Sequence, residues 1–222
     1  MINKQIILTG ATGWLGQNIL HYLQSQIPAK SFNEIVIALG SKEQKIKSTG
    51  YPLHEQIEIP IQSFSSIESL IDKKANTMLI QTAFMTRDKI DLLGEKEYTR
   101  VNNLIIDNVS YILKKIKDPK VVLISSGAVK KVEEGLIKKG NKSENLYSFL
   151  KYEEEKRITC FGDSLVLRVH ALTGKFIRDP KIYALGEFLL QAKTKERIEI
   201  KSSRNVIRSY VNARNISEIA LS

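Results

Sequence analysis

The sequence predicts an α/β protein built on a doubly wound parallel sheet, followed by a small C-terminal lobe. Three observations predict it. Short apolar runs alternate with stretches of helical periodicity from about residue 5 to residue 168. Runs such as Val121-Val122-Leu123-Ile124 are apolar on both faces, which suits strands covered by helices on either side. The first run, Ile6-Ile7-Leu8, passes directly into Thr9-Gly10-Ala11-Thr12-Gly13-Trp14-Leu15-Gly16, in which glycine recurs every third residue.

Taken in order, Gln5–Leu8 reads as the first strand. Leu15, Ile19, Tyr22 and Leu23 then keep helical spacing and mark the first helix. Strands follow at Glu34–Leu39, Gln56–Ile59 and Met78–Gln81. A long helix runs from about Gly94 to Ile116, with Tyr98, Val101, Ile105, Val109, Ile112 and Ile116 as its apolar face. Asp118-Pro119 ends it and opens the strand Lys120–Ile124. A further strand covers Ser164–Arg168. Beyond it come a loop with Gly174 and Asp179-Pro180, a helical stretch over Ile182–Lys195, a short strand at Arg197–Ile200, an extended piece at Val206–Val211, and a helix starting near Asn215. The division is therefore a main domain over residues 1–170 and a partial lobe over 171–222.

Composition narrows the class. The 222 residues are 42% hydrophobic and 26% charged, enough for one core and too apolar for a disordered chain. Cys160 is the only cysteine, so no internal disulfide forms, and it is expected to be buried. His21, His54 and His170 show no metal-ligand spacing, so no metal site is expected. The net charge of +10 has two readings, an anionic partner or a lysine-rich solvated surface. Lysines are spread, with small clusters such as Lys130-Lys131 and Lys138-Lys139. No basic block is interleaved with aromatics, so nucleic acid is not an expected partner. The N-terminus lacks a signal-peptide pattern and no window matches a membrane span; the expectation is a cytoplasmic protein without membrane contact.

Placed between a first strand and a first helix, the glycine run has a mechanism. Gly10 permits the tight turn, Gly13 lets backbone amides approach a pyrophosphate, and Gly16 lets the helix pack close to the sheet. Thr12, Trp14 and Leu15 complete the loop, and the helix N-terminus offers free N–H groups to the anion. This is the Rossmann arrangement for a dinucleotide. Ribose recognition falls at Leu39-Gly40-Ser41-Lys42, where no acidic residue stands. Ser41 and Lys42 suit a 2′-phosphate, which favours NADP over NAD.

A second constellation follows the strand at Val121–Ile124. Ser125 and Ser126 come directly after it, and Tyr147-Ser148-Phe149-Leu150-Lys151 later puts Tyr147 and Lys151 on one helix face. A neighbouring ammonium favours phenolate, which equips a tyrosine as general acid/base. Lys151 is also suited to the nicotinamide ribose. Ser126 is suited to the oxygen being oxidised or reduced.

With these motifs in this order, the chain resembles the extended short-chain dehydrogenase/reductases, the NAD-dependent epimerase/dehydratase family that modifies nucleotide sugars. The resemblance also takes in Leu79-Ile80-Gln81-Thr82-Ala83, Val101-Asn102, Ile124-Ser125-Ser126-Gly127-Ala128-Val129, Leu167-Arg168-Val169-His170-Ala171-Leu172-Thr173-Gly174 and Arg208-Ser209-Tyr210-Val211. It implies a catalytic set of Ser126, Tyr147 and Lys151, and a pyrophosphate loop of Gly10, Gly13, Trp14, Leu15 and Gly16. It implies that Thr82 and Ala83 line the nicotinamide half and that Arg208 meets the substrate pyrophosphate, as a guanidinium fork can. A nucleotide-sugar substrate, a homodimer and a setting in polysaccharide biosynthesis are implied by resemblance alone.

The chain also departs from the family. Ala171 stands where asparagine is common, His170 at an aromatic position, Lys130-Lys131 in place of Tyr-Gly, and Asn215 in place of an acidic residue. Dehydrating members carry Asp or Glu after the catalytic Ser or Thr; here Gly127-Ala128 follows, which disfavours 4,6-dehydration. Hydride transfer remains, as a 4-epimerase or a 4-ketoreductase. Members usually continue further, so the lobe reads as incomplete. The alternative expectation is a truncated, catalytically inactive NAD(P)-binding or regulatory homologue.

Overall fold

The computed structural model describes residues 4–49, 56–72, 75–137, 143–194, 197–200, 202–203 and 205–222. His54, Lys138 and Lys139 lie outside the described residues. The chain order is β1 (Lys4–Thr9), α1 (Trp14–Gln26), α2 (Ala29–Ile35), β2 (Val36–Leu39), β3 (Gln44–Thr49), β4 (Gln56–Gln62), β5 (Asn76–Gln81), α3 (Ile90–Lys115), β6 (Lys120–Ser126), α4 (Lys130–Glu133), α5 (Ser143–Ile158), β7 (Asp163–Val169), β8 (Ala171–Thr173), α6 (Ala184–Thr194), β9 (Tyr210–Asn212) and α7 (Ala213–Leu221).

β1 to β7 form a seven-stranded sheet in the order β3-β4-β2-β1-β5-β6-β7. All its pairings are parallel except β3 with β4 at one edge. The strand order turns back at β1, which pairs β2 on one side and β5 on the other, Thr9 lying between Leu39 and Gln81. Ligands of such sheets bind beyond the carboxyl ends of the strands at this reversal.

The period-two alternation of strands sorts the core into two layers. Leu8, Ile80, Val122 and Ile124 pack with Ile19, Leu20 and Leu23 of α1, Phe32 of α2, and Ile216 and Ala220 of α7. Ile7, Leu79, Val121 and Leu123 face the other way, onto Ile106, Val109, Ile112 and Leu113 of α3. A doubly wound α/β sheet is thus observed, and its runs are apolar on both faces because both faces are covered. The pairing also draws α7, from the C-terminal segment, into the same core.

Several elements differ from the sequence reading. Glu34 and Ile35 end α2 instead of opening β2. β3 went unforeseen because Gln44–Thr49 holds a single aliphatic residue, Ile46; it is a lysine-lined edge strand, with Lys45 paired to Glu58 at 2.7 Å. α3 begins at Ile90 and is broken at Gly94, whose φ of 74° glycine tolerates. Of its expected apolar face, Tyr98, Val109, Ile112 and Ile116 are buried, while Val101 and Ile105 are only half-buried; Asn102, Ile106 and Leu113 are buried instead. Arg197–Ile200 forms no strand, and only Tyr210–Asn212 of the last extended piece pairs, parallel to β8. Cys160 is exposed, not buried. Among the described residues no helix is long and apolar enough to cross a membrane.

Candidate active site

The turn after β1 is built by contacts that exclude side chains. Gly10 has φ of 66°, and a Cβ there would meet Thr82 Oγ1 at 2.7 Å and the Ala83 nitrogen at 2.8 Å. The Ala11 N–H donates to Leu39 O at 3.0 Å and the Gly13 N–H to Gly10 O at 2.8 Å, which fixes the loop between β1 and β2. A Cβ on Gly16 would lie 2.1 Å from Gly10 O, so α1 sits directly on the turn. Its N-cap is Gly13, with no capping side chain and no acidic residue in the first turn. The amides of the first turn are therefore available to an anion, at the positive end of the helix dipole. Gly16→Ala is expected to destabilise the fold by about 1–3 kcal/mol through overpacking. A urea midpoint equal to that of the unchanged protein would contradict the close approach.

The segment after β8 crosses this loop. Lys175 O accepts hydrogen bonds from Trp14 Nε1 at 2.6 Å and Asn18 Nδ2 at 3.0 Å. Arg178 Nη2 donates to Thr12 O at 2.8 Å, and the Trp14 ring meets Tyr183 edge-on at 5.0 Å. Arg178 thus brings a guanidinium to the glycine loop. The sequence reading missed it, because no local spacing links positions 12 and 178. Leu15 packs into the core beneath the loop. Ser41 and Lys42 are exposed just beyond β2. Oε1 of the nearby Glu43 accepts from Ser63 Oγ at 3.0 Å and Ser66 Oγ at 3.1 Å.

Thr82 and Ala83 are tied to β1: Thr82 Oγ1 donates to Thr9 O at 2.7 Å, and the Thr82 N–H to Thr9 Oγ1 at 3.1 Å. The next residues form a loop held by Asn102. Its Oδ1 accepts the Met85 N–H at 2.8 Å, while Tyr98 donates its hydroxyl to Met85 O at 2.6 Å. Burial pushes the Tyr98 phenol well above its ordinary range, so it serves as a donor. This loop presents Phe84 to α5. Tyr147 packs edge-on to Phe84 at 5.8 Å, and Lys151 Nζ lies 4.1 Å from the centroid of the same ring.

Lys151 is buried. Its ammonium donates to Ile124 O at 3.0 Å and to Glu154 Oε2 at 2.8 Å. Glu154 is fully buried and accepts from Gln81 Nε2 at 2.8 Å. Gln81 in turn accepts from the Thr9 hydroxyl. A polar chain, Thr9–Gln81–Glu154–Lys151, therefore runs beneath the site from β1 to α5. Desolvation raises the Glu154 carboxyl above the usual range, although Lys151 and Gln81 pull it down. The sequence offered one signal for it, a carboxylate three residues after Lys151. Glu155 points elsewhere and pairs with Arg168, whose guanidinium also holds Glu133.

At the end of β6, Ser125 Oγ is buried with no hydrogen-bond partner among the described residues. Ser126 is half-buried and its Oγ accepts the Ala128 N–H at 3.2 Å, opening a turn over Gly127–Val129. Lys151, through Ile124 O, reaches the same strand end. His170, directly after β7, lies against Gly127. Arg208 is exposed in the segment before β9.

No family model matches this sequence and no curated protein matches it. Solved structures do match in fold. MoeE5 in complex with UDP-glucose and NAD superposes with a TM-score of 0.62 at 15% identity, covering 98% of this chain and 70% of that one. UDP-glucose 4-epimerase from Thermotoga maritima, with UDP-glucose, gives 0.65 at 18% identity, covering 98% and 72%. The chain shares the Rossmann-like fold of these proteins. L-threonine dehydrogenase from Phytophthora infestans shares it too, at 0.68 and 13% identity, covering 98% and 71%. This fold carries more than one substrate class, so the site has to supply the rest of the argument.

Proposed function

We propose that the protein is an NAD(P)-dependent oxidoreductase acting on a nucleotide sugar, by 4-epimerase or 4-ketoreductase chemistry. The observation that carries it is the meeting, at the carboxyl edge of one sheet, of an uncapped glycine-rich helix start and the Tyr147–Lys151 pair. Gly10, Thr12, Gly13, Trp14, Leu15 and Gly16 would cradle the pyrophosphate, and Thr82 and Ala83 would border the nicotinamide half. The nicotinamide, when bound, supplies a hydride acceptor or donor. Tyr147 exchanges the proton of the sugar hydroxyl, Lys151 supports it and reaches the ribose, and Ser126 orients the reacting oxygen. Arg208 is proposed for the substrate pyrophosphate. Residues 1–170 are proposed as the cofactor domain and 171–222 as part of the substrate side. Leu104 and Tyr111, exposed seven residues apart on α3, offer a face for a homodimer.

NADP is the proposed preference. Lys42 and Ser41 are exposed at the ribose end, where a cation and a hydroxyl suit a 2′-phosphate. The test is a titration with NADPH and with NADH, following nicotinamide fluorescence. NADPH is expected to bind more tightly, and Arg178→Ala to weaken it about tenfold, the worth of one charge-assisted hydrogen bond. Tighter NADH binding overturns the NADP preference. Binding of neither overturns the oxidoreductase reading.

A further inference from the structure

Gly127 leaves a gap in the site, and the fold fills it from another strand. β6 and β7 run parallel in register, Ser126 opposite Val169, so both strands deliver their next residues to the same edge. A Cβ on Gly127 would lie 2.2 Å from His170 Cε1, 2.4 Å from Nδ1 and 2.5 Å from Nε2. The imidazole thus occupies the place of a side chain at position 127, next to Ser126. His170 is exposed, and among the described residues no hydrogen bond holds either ring nitrogen.

From this geometry we propose that His170 is a second acid/base group of the site, serving a proton on the sugar carbon next to a ketone. The proposal rests on the nucleotide-sugar reading above. Imidazole is suited to the work because it both takes and gives a proton near neutral pH. A ring nitrogen takes the carbon-bound proton. The C–H electron pair becomes the new C=C bond, and the carbonyl π pair moves to oxygen, where Ser126 and Tyr147 hydrogen-bond it. The imidazolium then returns a proton to the carbon. No oxidant or reductant is consumed. The glycine that reads in the sequence as a missing acid/base is, in the fold, the space that admits one.

Two measurements test it. In the first, nitrogen-15 spectra are followed as NADP+ and then UDP-glucose are added. The Gly13 amide is expected to shift with NADP+, and the His170 imidazole with UDP-glucose. If Gly13 does not shift, the cofactor reading fails and this proposal with it. If Gly13 shifts with NADP+ and the Ser126 amide with UDP-glucose while His170 does not, this proposal alone is overturned; if no resonance moves with UDP-glucose, the nucleotide-sugar reading fails and this proposal with it. In the second, UDP-4-keto-6-deoxyglucose is incubated in D2O with the NADP+-loaded protein, and deuterium next to the ketone is measured. The protein is expected to accelerate exchange over buffer. His170→Asn is expected to slow it about 100-fold or more, and Gly127→Ala, which displaces the ring, to slow it likewise. Exchange by His170→Asn at the unchanged rate, or no acceleration by the unchanged protein, overturns the proposal while NADP+ binding stands.

Discussion

Tyr147→Phe is expected to lower turnover of a nucleotide sugar by about 10²–10⁴-fold, the range for loss of a general acid/base, while NADPH still binds. The substitution removes one oxygen and keeps the ring. The edge-on packing against Phe84 at 5.8 Å should therefore survive. Lys151 should keep its place too, since Ile124 O and Glu154 hold it, not Tyr147. The phenylalanine variant thus separates chemistry from architecture. Turnover by Tyr147→Phe at the original rate would remove the tyrosine from the proposed mechanism. A parallel loss of NADPH binding would assign it to positioning the cofactor instead.

The largest effect on stability is expected at Glu154. Removing one partner of a buried ion pair leaves the other charged in a site that water does not reach, at a cost of about 3–5 kcal/mol. Glu154→Ala is therefore expected to reduce unfolding free energy by that order, read from a urea transition. Glu154→Gln should lose less, because the amide oxygen still accepts from Lys151 and the side chain fills the same space, although its NH2 then faces the Gln81 donor and that bond is lost. A variant Glu154→Ala as stable as the parent would mean that the pair contributes nothing.

The pH dependence has a definite sign. Burial raises the folded-state carboxyl above its ordinary value of 4.5. The protonated form is thus favoured by folding. The contribution of Glu154 is complete below that ordinary value and is lost as pH rises through the higher folded value. Urea midpoints compared between the parent and Glu154→Gln isolate the term. Their difference should move against the parent as pH rises from 4.5 toward neutrality. A difference that moves in the parent's favour over that range would show that Lys151 outweighs desolvation.

Much of the fold was written locally. The two-faced apolar runs, the glycine spacing and the Tyr147–Lys151 interval each lie within one element, where period and propensity act over a few residues. They gave the parallel sheet, the first turn and helix, and the candidate catalytic face. The edge strand β3 escaped because strand pairing at an edge needs no apolar alternation. The long helix buries Tyr98, Val109, Ile112 and Ile116 as its spacing predicts, but Val101 and Ile105 are only half-buried, because Asn102, a polar residue, is buried beside them to hold the loop that carries Phe84.

What the sequence by itself determined is the architecture and the identity of the candidate groups: Gly10–Gly16, Ser126, Tyr147 and Lys151. The tertiary structure alone decided their company. Arg178 reaches Thr12 across 166 positions, Gln81 reaches Glu154 across 73, and His170 enters the space of residue 127 from the neighbouring strand. Such contacts depend on which strands lie side by side and in what register. That is fixed by burying both faces of one sheet at once, a condition no short stretch of the chain contains.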